Sequence, residues 1–413
     1  MPTETPQGWS RLTIEDLVES HFNGPSPDCD EREVQNSNEW GVLKTTAITW
    51  DKGWDWKKHK VLPCKYWGLN RCEVRNGDVL ITKAGPRHRV GVVASVDWTP
   101  GQIIASGKMI GLRPHQKEVM PRILASALAT HDAQRFLDHR TTGMAESQVN
   151  FANEVLLQLS VTIPPMEEQR HMTRILDCLD ETIRKTEQVF DKLQIAKQGL
   201  QHDLLTRGID DNGALRDPDC HPEQFKDSIL GKIPVGWHVS TLGREFTLQR
   251  GFDITVAAQR EGTVPVVSSS GITSFHDSAM VDGPGVVTGR KGNLGNTYYI
   301  DSAYWPHDTT LWVKDFHGNS PKFAALFLKI FRLERFDAAT SVPTLNRNVV
   351  HPVSIAIPPL GEQEMIVALV DESDTGTQAV NAFLNKLVSI KAGLMDDLLT
   401  GRVRVPLDKV TTV

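Results

Sequence analysis

Two short basic turns carry the side chains in this sequence best suited to recognition chemistry. Gly85-Pro86-Arg87-His88-Arg89 follows a β-branched run and presents three side-chain donors in a row. Gly289-Arg290-Lys291-Gly292-Asn293 follows a similar run some 200 residues later. Arg and Lys address guanine edges in the DNA major groove, and Asn or Gln addresses adenine. Turns are where a strand scaffold offers such groups. The same turns could equally hold only backbone phosphates, or be solvated hairpin tips. A third basic stretch, Trp50 to Lys60, interleaves tryptophans with Lys57, Lys58 and Lys60. Either the lysines grip phosphates, or the tryptophans fill a local core while the lysines face water. Gln148, Asn150 and Asn153 lie just before the last expected strand of one block, and Asn346, Arg347 and Asn348 before that of the other. Lys44, Thr45, Lys83, Ser268 and Ser269, in the repeated strand-and-turn segments, complete the candidates for contact with DNA.

Catalytic patterns are missing from the sequence. It has no GxxxxGK[ST] phosphate loop, and Gly289–Asn296, though glycine-rich and basic, lies between strand-like runs rather than opening a helix. There is no Asn-Pro-Pro-Tyr or Asp-Pro-Pro-Tyr run of the adenine-methyltransferase type, and no carboxylate–lysine cluster of a nuclease. His59, Cys64 and Cys72 have no trusted metal-ligand spacing and read as structural. No cofactor or metal is therefore expected. The five cysteines include no CxxC pair, the start lacks signal-peptide features, and no apolar run is long enough to span a membrane. The expectation is a cytoplasmic protein with reduced thiols. Net charge is −6, yet Asp51 to Arg113 holds twelve Lys and Arg against five Asp and Glu. That is either a basic patch on an acidic protein or a fluctuation on a solvated surface.

These candidates sit in a duplicated chain. Residues 163–209 (IPPMEEQ…DLLTRGI) and 357–403 (IPPLGEQ…DLLTGRV) align without a gap, with about a third of positions identical. Prolines open each copy, where a missing N–H costs least. Glu167, Glu168 and Glu362 follow, near the positive end of a helix dipole. Apolar residues then recur at three- and four-residue steps: Met172, Ile175, Leu176, Leu179, Ile183 and onward to Leu204. Gly208 and Gly401 mark the ends. Each copy is thus expected to be one helix of about 38 residues, near 57 Å long. So narrow a stripe needs a partner, and the repeat itself, packed antiparallel as a coiled coil, is the obvious one. Ser373-Asp374-Thr375-Gly376-Thr377 forms helix poorly, and an irregularity is expected there.

The preceding blocks correspond more faintly. Gly8-Trp9 and Gly236-Trp237 open them, Leu43–Thr49 resembles Val267–Thr273, and Gly77–Lys83 resembles Gly283–Gly289. These read as strands and turns, with short helices at 120–139 and 321–336, and with Pro234 and Trp237 as packing residues. The expected fold class is α+β: two globular domains separated by two long antiparallel helices, with an internal pseudo-twofold repeat. The scaffold copies are alike and the heads have diverged, which suits an asymmetric two-part target; duplication followed by drift would leave the same pattern.

IPPMEEQ and IPPLGEQ, each opening a helix that ends in DLLTRG or DLLTGR, resemble the two helical spacers of type I restriction-modification specificity subunits. Phe225 to Trp237, FKDSILGKIPVGW, resembles the start of their second target-recognition domain. The resemblance implies target-recognition domains at 1–162 and 237–356, spacers at 163–209 and 357–403, a linker at 210–236 and a tail at 404–413. It implies that each head reads half of a bipartite site, that the helices set the spacing, and that two modification (methyltransferase) subunits dock on them. Restriction (translocase) subunits would join for cleavage. The chain itself would carry no chemistry. Two rival readings remain: a modification enzyme, which would bind S-adenosylmethionine, and a coiled-coil scaffold, which would show no salt-dependent DNA binding.

Overall fold

The computed structural model describes residues 5–50, 53–145, 147–337 and 343–405. The chain forms two compact units, residues 1–185 with 384–413, and residues 186–383. Both follow one plan. In the first unit, Val18–Phe22, Met109–Pro114, Val79–Thr82 and Val93–Ser95 make a sheet in that spatial order, all neighbours antiparallel. In the second, Thr247–Arg250, Thr310–Asp315, Gly285–Gly289 and Thr297–Ile300 repeat the order and the directions. A smaller sheet accompanies each. Gly41–Leu43 lies between parallel Ile103–Ile104 and antiparallel His59–Val61; Val264–Ser268 lies between parallel Trp305–Pro306 and antiparallel Gly271–His276. The strand that opens each head pairs with the one that closes it, Ser10–Thr13 with Ser160–Ile163 and His238–Thr241 with Ser354–Ile357.

Side-chain alternation explains why the central strands are wholly buried. Val79 and Ile81 enter a core with Leu124 and Leu128, while Leu80 enters another with Val42 and Ile104. In the second unit Val286 packs in the core of Phe323 and Leu328, and Val287 in that of Tyr304 and Trp312. The short helices fall where expected, at Pro121–Leu128, His131–Asp138 and Pro321–Phe331, the last followed by a 3-10 turn at Leu333–Phe336.

The two long helices are Met166–Thr206 and Leu360–Thr400, 41 residues each. The irregularity expected at Ser373–Thr377 does not occur. Thr375 and Thr377 turn their hydroxyls onto the carbonyls of Asp371 and Ser373, both at 2.9 Å, so the groups that would compete with the helix are satisfied inside it. Gly208 and Gly401 take positive φ just past the ends.

The repeated Glu-Gln pair does more than favour a dipole. Gln169 accepts from Met120 N at 2.8 Å and donates to Glu118 O and Pro164 O. Gln363 accepts from Ser320 N at 2.9 Å and donates to Asn319 and Pro358 O. Each Gln thus ties its helix to the loop before its own head's short helix. Glu168 is buried, accepts from Trp9 Nε1 at 3.0 Å, and pairs with Arg404 at 2.8 Å. Glu362 pairs with Arg216 at 2.6 Å and accepts from Ile209 N at 2.9 Å. Each Glu therefore receives an arginine that follows the other long helix. Reciprocal ion pairs repeat the pattern: Asp180 with Lys391 at 2.6 Å in the first unit, Lys197 with Asp374 at 2.5 Å in the second. Among the described residues, no helix is long and apolar enough to cross a membrane.

Candidate nucleic-acid interface

In the first unit the basic turn is a 3-10 turn, Arg87–Arg89, placed by the strand Val79–Thr82. The Thr82 hydroxyl receives Val92 N at 3.0 Å and donates to Arg89 O, closing the loop at its base. Gly85 and Ala84 pair with Val149 and Asn150, which brings the Gln148 segment alongside. Arg89 turns inward: its Nη2 donates to Ile48 O at 2.9 Å and to Thr45 O. The turn is therefore joined to the Lys44–Thr45 segment, and Lys44 N donates to Lys58 O at 3.0 Å. Lys44, Thr45, Lys57, Lys58, Lys83, the turn and Gln148 lie on a connected set of loops.

Their side chains differ in commitment. Arg87 pairs with Asp138 while His88, Gln148, Lys57 and Lys58 are exposed. Lys83 Nζ is 3.2 Å from Asn153 Oδ1, and Lys44 pairs with Glu31 at 3.3 Å. Trp56 stacks on His59 and meets Trp98 edge-on, while Trp54 Nε1 donates to Trp98 O at 2.7 Å. The tryptophans thus build a local aromatic cluster beside the lysines; Asp51 and Lys52 of that run lie outside the described residues. His59 Nε2 is 3.0 Å from Val34 N and Nδ1 is 2.9 Å from Trp56 O, a structural role.

In the second unit the turn folds back so tightly that a Cβ on Gly289 would lie 1.8 Å from Asn293 O. Asn293 Nδ2 donates to Ser270 Oγ at 3.0 Å, and Tyr298 Oη to Ser269 O at 3.4 Å. Ser268 Oγ receives Ser270 N at 3.1 Å. Leu345 N donates to Arg290 O at 2.9 Å, and Lys291 bridges to Thr344. Ser268, Ser269, Arg290, Lys291, Asn293 and the exposed Arg347 are thereby gathered on one set of loops, as their counterparts are in the first unit.

Sequence reasoning missed the residues beneath this turn. Arg250 pairs with Asp308 at 2.7 Å, and Arg290 Nη1 donates to Asp308 O at 3.2 Å. Burial and then the neighbouring Arg250 lower the pKa of Arg290. Burial works to raise Asp308, but the Arg250 hydrogen bond and nearby cations hold it below its usual value. No motif marks these residues, because strand pairing alone brings residues about 250 and 308 together. Asp253, His307 and Asp308 hold ligand-type atoms within 4.8 Å of one another. With Asp308 paired to Arg250 and His307 Nδ1 3.0 Å from Thr309 Oγ1, the set reads as an ion-paired cluster.

Two copies of one head, each closed by a long helix and each gathering polar and cationic loops at the same strand ends, define a duplicated α+β class. The chain belongs to the family described as Type I restriction modification DNA specificity domain, whose model matches residues 6–194 and again 234–388. It is 30% identical over 207 residues to the type I restriction enzyme EcoEI specificity subunit of Escherichia coli, a match spanning 50% of this chain and 34% of that protein. It is 21% identical to the putative type I restriction enzyme MjaX specificity subunit of Methanocaldococcus jannaschii, over 97% of this chain and 95% of that one. In fold it is similar to the type I restriction-modification S subunit from M. genitalium, at TM-score 0.55 and 16% identity, covering 97% of both chains.

Proposed function

We propose that this chain is a DNA-specificity subunit of a type I restriction-modification complex, acting in the cytoplasm and carrying no catalytic or cofactor site. Residues 1–162 and 237–356 are target-recognition domains, joined through the linker 210–236. Each reads one half of a bipartite, asymmetric duplex site. The helices of 163–209 and 357–403 pair as an antiparallel coiled coil, set the distance between half-sites, and dock two modification subunits. Restriction subunits join that assembly for cleavage.

The observation that supports this reading most is the equivalence of the loops. One repeated fold presents Arg87, His88 and Gln148 in one unit, with Arg89 bracing the turn from within, and Arg290, Lys291, Asn293 and Arg347 in the other. The same frame therefore offers two different sets of groups to base edges. Lys44, Thr45, Lys57, Lys58 and Lys83, and Ser268 and Ser269, supply flanking contacts that position the duplex without reading it. Such binding weakens steeply with salt. The test is methylation mapping in cells that express the chain with a modification subunit. One bipartite motif with an unread gap is expected. A single continuous motif, or none, would remove the two-headed reading.

A further inference from the structure

The second unit contains a cleft of about 990 Å³ directly under its basic turn. Its lining includes the apolar and aromatic residues Phe252, Met280, Trp305 and Leu311. Trp305 Nε1 donates to Phe252 O at 3.1 Å, which fixes the two aromatic residues relative to each other. Three guanidinium groups, Arg250, Arg290 and Arg347, share the cleft with them. Two carboxylates are present, and one of them, Asp308, is already engaged by Arg250. Burial, and after it the neighbouring Arg250, lowers the pKa of Arg290 within this cleft. A cavity in the first unit differs in kind. It is about 270 Å³, contains Lys44, Lys60 and Lys108 with Ser26, Thr45 and Ser106, and has no aromatic wall.

Base edges in an intact duplex are read by groups that project into a groove. A concave site with an aromatic wall and converging guanidinium groups suits a different object. The ring takes the face of a base, and the guanidinium groups take a phosphate by paired hydrogen bonds. We propose that this cleft binds a single nucleotide, with the base against Trp305 and Phe252 and the phosphate held by Arg250, Arg290 and Arg347. The nucleotide comes either from the bound DNA, as an unstacked residue swung out beside the second half-site, or from solution as a free mononucleotide. The inference rests on the DNA-reading role only for the first of these sources.

Two measurements on the full chain separate the sources. The first is equilibrium dialysis with each of the four deoxynucleoside monophosphates and with inorganic phosphate. The second is fluorescence of duplexes that carry 2-aminopurine at successive positions of the mapped site. Saturable mononucleotide binding, stronger than that of phosphate, supports the cleft; a fluorescence rise at one position of the second half-site assigns the occupant to the DNA. Trp305→Ala should weaken whichever signal is seen by roughly 5- to 150-fold, the range expected for one lost base–aromatic stack. Trp305→Phe keeps a ring in place and should retain most of the signal if the ring face is what matters. Duplex binding without any 2-aminopurine response, together with no mononucleotide binding, would overturn this proposal and leave the specificity-subunit reading standing. Failure to bind duplex at all, with mononucleotides still bound, would do the reverse.

Discussion

Arg89 and Arg290 occupy corresponding turns and use their guanidinium groups differently. Arg89 donates to Ile48 O at 2.9 Å and to Thr45 O, so it holds one reading loop against another. Arg89→Ala should therefore cost about 1–3 kcal/mol of stability, the cost of leaving part-buried carbonyls without this donor. It should also impair recognition of the first head's half-site alone. Thermal unfolding and methylation mapping on one variant check both. Arg290 gives one bond to Asp308 O and otherwise opens onto the cleft. Arg290→Ala should leave the melting point nearly unchanged and weaken DNA binding by about 1–3 kcal/mol. A uniform loss across sequences is what a phosphate held in the cleft requires, relaxation of one position of the second half-site would make Arg290 a base reader instead, and unchanged affinity would remove it from the interface. Asp78 offers a test by pH. Burial pushes its carboxyl up to about 6, against hydrogen bonding from Arg75 N and the nearby Arg113. A raised acid pKa favours folding while the group is protonated, and that advantage is lost as pH climbs from about 4 to about 6. Relative to Asp78→Asn, the native chain should lose on the order of 2–3 kcal/mol across that window. Parallel stability curves for the two proteins would refute it. The sequence announced the cations by type and spacing. It could not announce their partners: Arg89 meets carbonyls more than 40 residues away, and Arg250 meets Asp308 through strand pairing.

The long helices were the most legible elements, because proline start, apolar period and glycine stop all agree over 41 residues. The error at Ser373–Thr377 came from counting propensity without the i−4 carbonyls that absorb the hydroxyls. The strands were legible as runs but not as partners. Val79–Thr82 is buried on both faces, so it carries no apolar–polar alternation to show that it lies between two cores. If the helices act as the proposed ruler, deleting Thr186 to Val189 should shorten it by about 6 Å while returning the apolar stripe almost to its face. That corresponds to about two base pairs. The deletion also shifts Lys197 out of register with Asp374 unless the second helix is shortened to match. A variant lacking both Thr186–Val189 and Val380–Phe383 should therefore be the more stable, and should prefer a shorter gap with unchanged half-sites. An active variant with the original gap would show that the spacing is set elsewhere.

At the scale of the whole molecule, the duplication extends from sheet order to individual ion pairs. Asp180 with Lys391 and Lys197 with Asp374 are the same two residues of the repeat, exchanged. A scaffold repeated to that degree offers any partner two equivalent surfaces. The helices also leave large apolar side chains exposed, among them Val189, Ile195, Phe383 and Ile390. Co-expression with a modification subunit should give two such subunits per chain, measured by native mass spectrometry. One per chain, or none, would count against docking on both copies.

The way the first unit is assembled from the chain has a consequence for synthesis. Its core closes with Leu398, Leu399 and Val405, and its buried Glu168 meets Arg404, whereas the second unit is contiguous from 186 to 383. After residue 185 leaves the ribosome, about 200 more residues must follow before that core can close, which takes ~10–40 s at ~5–20 residues per second. The head made first is thus the last to be finished, and it waits with apolar surface uncovered while its neighbour folds.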